Sequence, residues 1–342
     1  MLTTASKLTF YFLCFLSLIS QSTLANESNN DWVQFTFEND AFGLIDTSDN
    51  GYSNGLDWSW GKAVVNDYDD IDLPGWLETL YGWSYLNQGN NRQYQVSYSV
   101  SQRMYTPDDL QVDTLIEADR PYAGTLLWQS NLRSYADGIG DNLSITLGVV
   151  GPASLAEQTQ KQVHKIIDAK EPLGWDNQLS NEAVFRIQAQ RLYQWAYTPI
   201  SENVEFDSVL HGDASIGNLM SHAGAGLTFR IGNILNQSYA YIAPAASRSN
   251  NGYIVKSADR LSWQFFVTFY GRYVLNDITI DGNTFKDSHS VELTHEQAML
   301  NMGFMLNWKD WGLVFSTIRG TEQYNNQPST ANFAAVSISY RF

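Results

Sequence analysis

Gln160 and His164 stand four residues apart in Ala-Glu-Gln-Thr-Gln-Lys-Gln-Val-His-Lys-Ile-Ile-Asp, residues 156–168. In a helix that spacing projects both side chains from one face. A neutral imidazole so placed can accept a proton from water, the first requirement of hydrolysis. The other histidines, His211, His222, His289 and His295, form no His-x-x-x-His metal pair, and their ordinary reading is structural. Asn39-Asp40 offers amide and carboxylate oxygens of the kind that calcium takes, although the same residues before Ala41-Phe42-Gly43 are also turn chemistry. Ser53, in Gly51-Tyr52-Ser53-Asn54-Gly55, is either a turn residue or a hydroxyl at an active site. Asp119-Arg120 reads as structural, an ion pair or a rim contact, and Arg103, Arg120 and Lys161 are solvated cations or phosphate contacts.

The elements that must hold these residues are strands. Val336, Ile338, Tyr340 and Phe342 alternate with Ser337, Ser339 and Arg341 at the C-terminus. Tyr94, Val96, Tyr98 and Val100 alternate with Gln93, Gln95, Ser97, Ser99 and Ser101, and Leu56, Trp58 and Trp60 with Asp57 and Ser59. Period two gives each strand one apolar and one polar face. The polar sets are small and hydroxyl-rich, which suits a crowded interior with the apolar faces outside, as in a membrane barrel. Strands are expected near 32–38, 53–62, 92–105, 121–135, 142–151, 183–197, 203–218, 222–234, 261–275, 288–308, 312–320 and 331–342, with 237–247 left to a loop. Twelve is an even number, as bacterial barrels have.

The expected fold is therefore all-β, a transmembrane antiparallel β-barrel of 12 strands over residues 26–342. With both termini in the periplasm, the connections at 39–52, 106–120 and 152–182 are extracellular. The last of these holds the one helix expected outside the leader. Ser154 is its candidate N-cap, and Leu155, Val163, Ile166 and Ile167 form an apolar stripe offered to the barrel wall.

Composition agrees. The 342 residues are 14% aromatic and only 16% charged, with a net charge of -16. An acidic chain lacks the basic footprint of a nucleic-acid binder. No apolar run after residue 25 is long enough to span a bilayer as a helix. Residues 1–25 read as a secretory signal peptide: Lys7, an apolar run from Leu8 to Ile19, and Thr23-Leu24-Ala25 before the cut. Its removal takes away Cys14, the only cysteine.

Taken in order, several segments resemble the outer-membrane lipid A 3'-O-deacylase family. They are Phe37-Glu38-Asn39-Asp40-Ala41-Phe42-Gly43, Gly51-Tyr52-Ser53-Asn54-Gly55, Tyr105-Thr106-Pro107, Asp119-Arg120 and Leu147-Gly148-Val149-Val150-Gly151-Pro152. The helix with Gln160 and His164-Lys165-Ile166-Ile167 and then Gly174-Trp175-Asp176-Asn177-Gln178-Leu179 complete the set. The resemblance implies a twelve-stranded barrel that removes the 3'-linked acyloxyacyl chain from lipid A of lipopolysaccharide, using a histidine and a bound Ca2+. It implies Asn39, Ser53, Gln160 and His164 as catalytic residues, and Asn39 and Asp40 at the cation. The family's glutamate six residues after the histidine is Lys170 here, with Glu171 adjacent as its substitute ligand. The site so implied faces the extracellular side, where lipid A lies.

Two rivals remain at this stage. One is an outer-membrane phospholipase A with Ser53 as nucleophile, but Gly51 stands where that family has its histidine. The other is a porin-like barrel whose long loop plugs a pore.

Overall fold

The computed structural model describes residues 31–39, 52–87, 91–239, 257–328, 330 and 332–342. The expected signal peptide, most of segment 237–247 and Asp40 lie outside them. Twelve strands follow in chain order: β1 (Trp32–Asn39), β2 (Tyr52–Gly61), β3 (Gln93–Tyr105), β4 (Ala123–Ala136), β5 (Ile139–Val150), β6 (Glu182–Ser201), β7 (Val204–Ile216), β8 (Met220–Gly232), β9 (Ser257–Asp277), β10 (Glu296–Lys309), β11 (Trp311–Gly320) and β12 (Asn332–Arg341). Each pairs antiparallel with its chain neighbours, and β1 closes on β12 from Trp32↔Arg341 to Asn39↔Ala334. The all-β transmembrane barrel of twelve strands is what the alternation calls for. Closure leaves no strand edge unpaired, as a hydrocarbon surrounding requires.

The alternation sorts side chains inside out. Gln34, Thr36 and Glu38 of β1, Asp57 and Ser59 of β2, Ser97, Ser99 and Ser101 of β3, and Gln129, Asn131 and Arg133 of β4 are buried in the interior. They bond one another across strands: Thr36 to Ser337 at 2.8 Å, Ser144 Oγ to Asn131 at 2.6 Å, Gln188 Nε2 to Asp213 at 2.7 Å. Trp58, Phe265, Phe269 and Tyr273 point the other way and are exposed. The lumen is thus packed with polar side chains, many bonded to one another, while the outer wall offers rings and aliphatic chains to lipid.

Two expectations change. β10 begins at Glu296 rather than at 288, because the preceding residues fold over the barrel's distal end, the end away from the termini. There Val291 N–H donates to Ile280 O at 3.1 Å and Leu293 pairs with Tyr324. Asp119-Arg120 ties this cap together. Arg120 lies over the Tyr105 ring and donates to Thr279 Oγ1 at 3.0 Å, and the Asp119 carboxylate accepts from Asp108 N–H at 2.9 Å and from the Tyr324 hydroxyl at 2.5 Å.

The helices also exceed the single one expected. They are α1 (Gly75–Gly82), α2 (Ala156–Ile167) and the short α3 (Ile278–Asp281). Eight residues are too few to hold a helix by themselves. α1 exists because Leu77 and Tyr81 bury themselves on the outside of the barrel, against Tyr98, Trp128, Leu132, Leu143 and Ile145. That surface is not local in sequence, which is why periodicity missed it.

Candidate active site

α2 is seated on the outer wall by a missing side chain. Met104 on β3 pairs with Gly124 on β4, and α2 packs on those two strands. A Cβ at Gly124 would come within 2.3 Å of both Ala156 Cβ and Ser154 Oγ. The helix therefore rests directly on backbone there. Ser154 is not the N-cap. Leu155 takes that place with a left-handed φ of 59°, and Ser154 Oγ, one residue earlier, accepts from Ala156 N–H at 3.3 Å. Gln102 on β3 fixes the same turn by donating to Ser154 O at 2.6 Å. We expect Gly124→Val to push α2 off the wall, lowering activity by more than about tenfold while the barrel keeps its resistance to SDS; a positional effect of this size is reasonable because an error of about 1 Å can cost 10²-fold. Wild-type activity in that variant refutes the seating.

The apolar stripe expected to face the wall is not the face buried against it. Leu155 is 56% exposed, and Val163 and Ile166 are half-buried. Ala156, Gln160 and His164 form the buried face instead, one turn apart. The exposed residues of the helix are Gln158, Gln162 and Lys165, and the wall place goes to Ala156, whose small side chain fits over Gly124. The buried face joins a cluster of Met104, Leu110, Tyr122 and Trp175. Burial pushes the Tyr122 phenol up to about 12.

Both polar side chains on this face are fixed in orientation. Trp175 Nε1–H donates to Gln160 Oε1 at 2.7 Å. An indole can only donate, so the amide cannot be flipped, and its NH2 faces the opposite way. Gln160 Nε2 is buried and has no hydrogen-bond partner among the described residues. A donor left in that condition costs free energy and invites an acceptor. His164 Nδ1 lies 2.5 Å from Lys170 O. A carbonyl can only accept, so Nδ1 carries the hydrogen and the neutral ring presents Nε2 as a lone pair.

Asn39 belongs to the same outer wall. The register sets Asn39 opposite Asn54, Asn54 opposite Met104 and Met104 opposite Gly124. This cross-strand row leads from Asn39 to the seat of α2. Asn39 Nδ2 donates to Asn54 Oδ1 at 2.5 Å, which directs Asn39 Oδ1, a hard oxygen, elsewhere. Asp40 is outside the described residues, and so is the side chain of Ser53, whose backbone lies in β2. Glu171 is placed differently. Its carboxylate is 64% exposed and lies 3.7 Å from Lys161 Nζ, while Lys161 also pairs with Glu157 at 2.9 Å. The Glu157 bond holds the Lys161 ammonium above its ordinary range. Among the described residues no group of three His, Cys, Asp or Glu side chains is arranged to hold a metal.

The remaining histidines serve the interior and cap. His222 bridges Asp213 at 2.8 Å and Ser215 at 2.7 Å, and His289 Nε2–H donates to Asp119 O at 2.8 Å. Residue types missed two contributors. Asn54 becomes visible only through register, and Trp175 only through its bond to Gln160. The one local hint for Trp175 is that a buried indole N–H needs an acceptor.

Comparison with known proteins agrees with the barrel fold. The family described as "Outer membrane protein LpxR" matches residues 10–342. Among solved structures, LpxR from Salmonella typhimurium is 18% identical, covers 91% of this chain and 100% of its own, and superposes with a TM-score of 0.75. The β domain of the Bordetella autotransporter BrkA is 8% identical over 92% of this chain and 100% of its own, with a TM-score of 0.46. No curated protein matches the chain.

Proposed function

The chain belongs to the LpxR family of outer-membrane proteins, and from that premise we propose that it is an ester hydrolase removing the 3'-linked acyloxyacyl chain from lipid A, with its site on the extracellular side. One observation carries the reading. On the outside of the barrel, a buried amide donor and an imidazole lone pair share one helix face. A substrate held in the membrane reaches that wall without entering the lumen.

The chemistry follows from the two orientations. His164 Nε2 accepts a proton from a water as its oxygen attacks the 3'-ester carbonyl. Gln160 Nε2 donates to the oxygen on which negative charge develops. Collapse breaks the acyl C–O bond, and the imidazolium returns its proton to the departing 3'-oxygen. The products are lipid A with a free 3'-hydroxyl and an acyloxyacyl carboxylic acid. Trp175 and the Lys170 carbonyl are positioning groups.

Asn39 fits a calcium ion, since its Oδ1 is the oxygen donor such an ion takes and its Nδ2 is engaged by Asn54. Asn39 and Asp40 would hold the ion, and Glu171 would join only by leaving Lys161. When bound, calcium supplies Lewis-acid polarisation of the ester carbonyl. Chelating calcium from the purified protein is expected to abolish deacylation, and adding calcium back to restore it. An unchanged rate removes the metal from the mechanism.

A porin function is disfavoured by the lumen, whose inward side chains are buried rather than lining open water. Mass spectrometry of lipid A from cells expressing the protein tests the proposal: loss of the 3'-acyloxyacyl mass is expected. Unaltered lipid A refutes it, and release of lysophospholipid instead would favour the phospholipase.

A further inference from the structure

α2 and α1 lie outside the barrel on the same strip of wall, one nearer the distal end and one nearer the termini. α2 rests on the row Asn54–Met104–Gly124. α1 reaches the row Trp58–Val100–Trp128, with Trp76 and Trp128 ring centroids 5.7 Å apart and Tyr81 donating to Ser130 Oγ at 3.0 Å. Four residues separate the two rows on each strand, about 13 Å at roughly 3.3 Å per residue. Leu56, Gln102 and Leu126 form the row between.

We propose that this strip between the two helices is a binding bay for the acyl chain of the substrate ester, with α1 as its floor. The proposal rests on the hydrolase reading and adds the site's length specificity. The lining is apolar apart from Gln102, whose amide is taken by Ser154 O. Trp58 is 56%, Trp76 49% and Val100 37% exposed, so their faces are open to an occupant. The occupant is an aliphatic chain because the bay opens on the lipid side and continues from the ester-cleaving face of α2. A chain hanging from an ester at that level runs along the wall toward the termini, away from the polar sugar.

The floor is a continuous ladder of rings. Trp58 lies 5.3 Å from Trp60, Trp60 lies 5.9 Å from Tyr98, and Tyr98 lies 6.1 Å from Trp128, which meets Trp76. Leu77 and Tyr81 anchor α1 behind it. A chain longer than the bay meets this barrier, so chain length is selected by α1 rather than by the reacting groups.

The test uses purified full-length protein and lipid A carrying a short or a long 3'-chain. Trp76→Ala opens the floor and is expected to shift the long-to-short ratio of kcat/KM upward by about tenfold, the scale of discrimination in apolar pockets. Val100→Trp fills the bay and is expected to shift the ratio the opposite way. A merely structural role for α1 lowers both rates together and leaves the ratio unchanged. Active variants with the wild-type ratio overturn the bay and leave the hydrolase intact. If wild type cleaves no lipid A, the hydrolase reading fails first, and native mass spectrometry of lipid A retained by wild type and by Val100→Trp decides the bay: reduced retention upholds it, and equal retention overturns it.

Discussion

Replacing His164 with alanine is expected to lower the deacylation rate by about 10²- to 10⁴-fold, the range for losing a positioned general base. The tautomer of His164 matters as much as its presence. Lys170 O fixes the hydrogen on Nδ1 and leaves Nε2 to receive the proton from water. The truncation also strands that carbonyl, at a cost of about 1–3 kcal/mol. That is tolerable for a barrel whose strands are paired all round. The variant should therefore reach the membrane folded and bind lipid A, with kcat rather than KM carrying the loss. Imidazole added to the assay should recover part of the rate through the vacated space. Lipid A with the same acylation in cells expressing wild type and the folded variant would sink the mechanism.

Gln160→Ala is expected to cost about 10²- to 10³-fold in kcat, the usual effect of deleting an oxyanion donor. Gln160→Glu separates a chemical role from packing. It keeps the volume and can still accept from Trp175 Nε1–H, yet it replaces the buried NH2 with an oxygen that repels the developing charge. If the amide acts as donor, the glutamate variant is worse than alanine. If the amide only fills space, the glutamate variant approaches wild type. Trp175→Phe should give a smaller loss, because the amide survives but is free to turn. Stopped-time assays on purified protein, with folding checked by SDS resistance, distinguish these outcomes.

Much of the fold is legible in local pattern. The alternation of Tyr94, Val96, Tyr98 and Val100 with glutamine and serine specifies a strand and the chemistry of its two sides. Repeated through the chain, it specifies a barrel with its polar face inside. The Gln160–His164 spacing likewise specifies a shared helical face. The orientation of that face is not legible. Leu155, Val163 and Ile166 look like a core stripe, yet wall contact goes to Ala156, Gln160 and His164. The seat at Gly124 admits only a small side chain, so Ala156 and the residues one and two turns on from it take the wall. α1 was invisible for a related reason: its stability comes from Leu132 and Ile145, far along the chain.

By itself, then, the sequence determined the strands, their number, the sidedness of each and the helix that carries the candidate base. These follow from periods of two and 3.6 residues, which local sterics impose on any chain. Only the tertiary structure decided that Asn39 and Asn54 share a row leading to Gly124, that a glycine seats α2, and that Trp175 fixes the Gln160 amide. It also set α1 on the wall beside them. Register and close approach are relations between distant segments, fixed by barrel closure and by the absence of one Cβ.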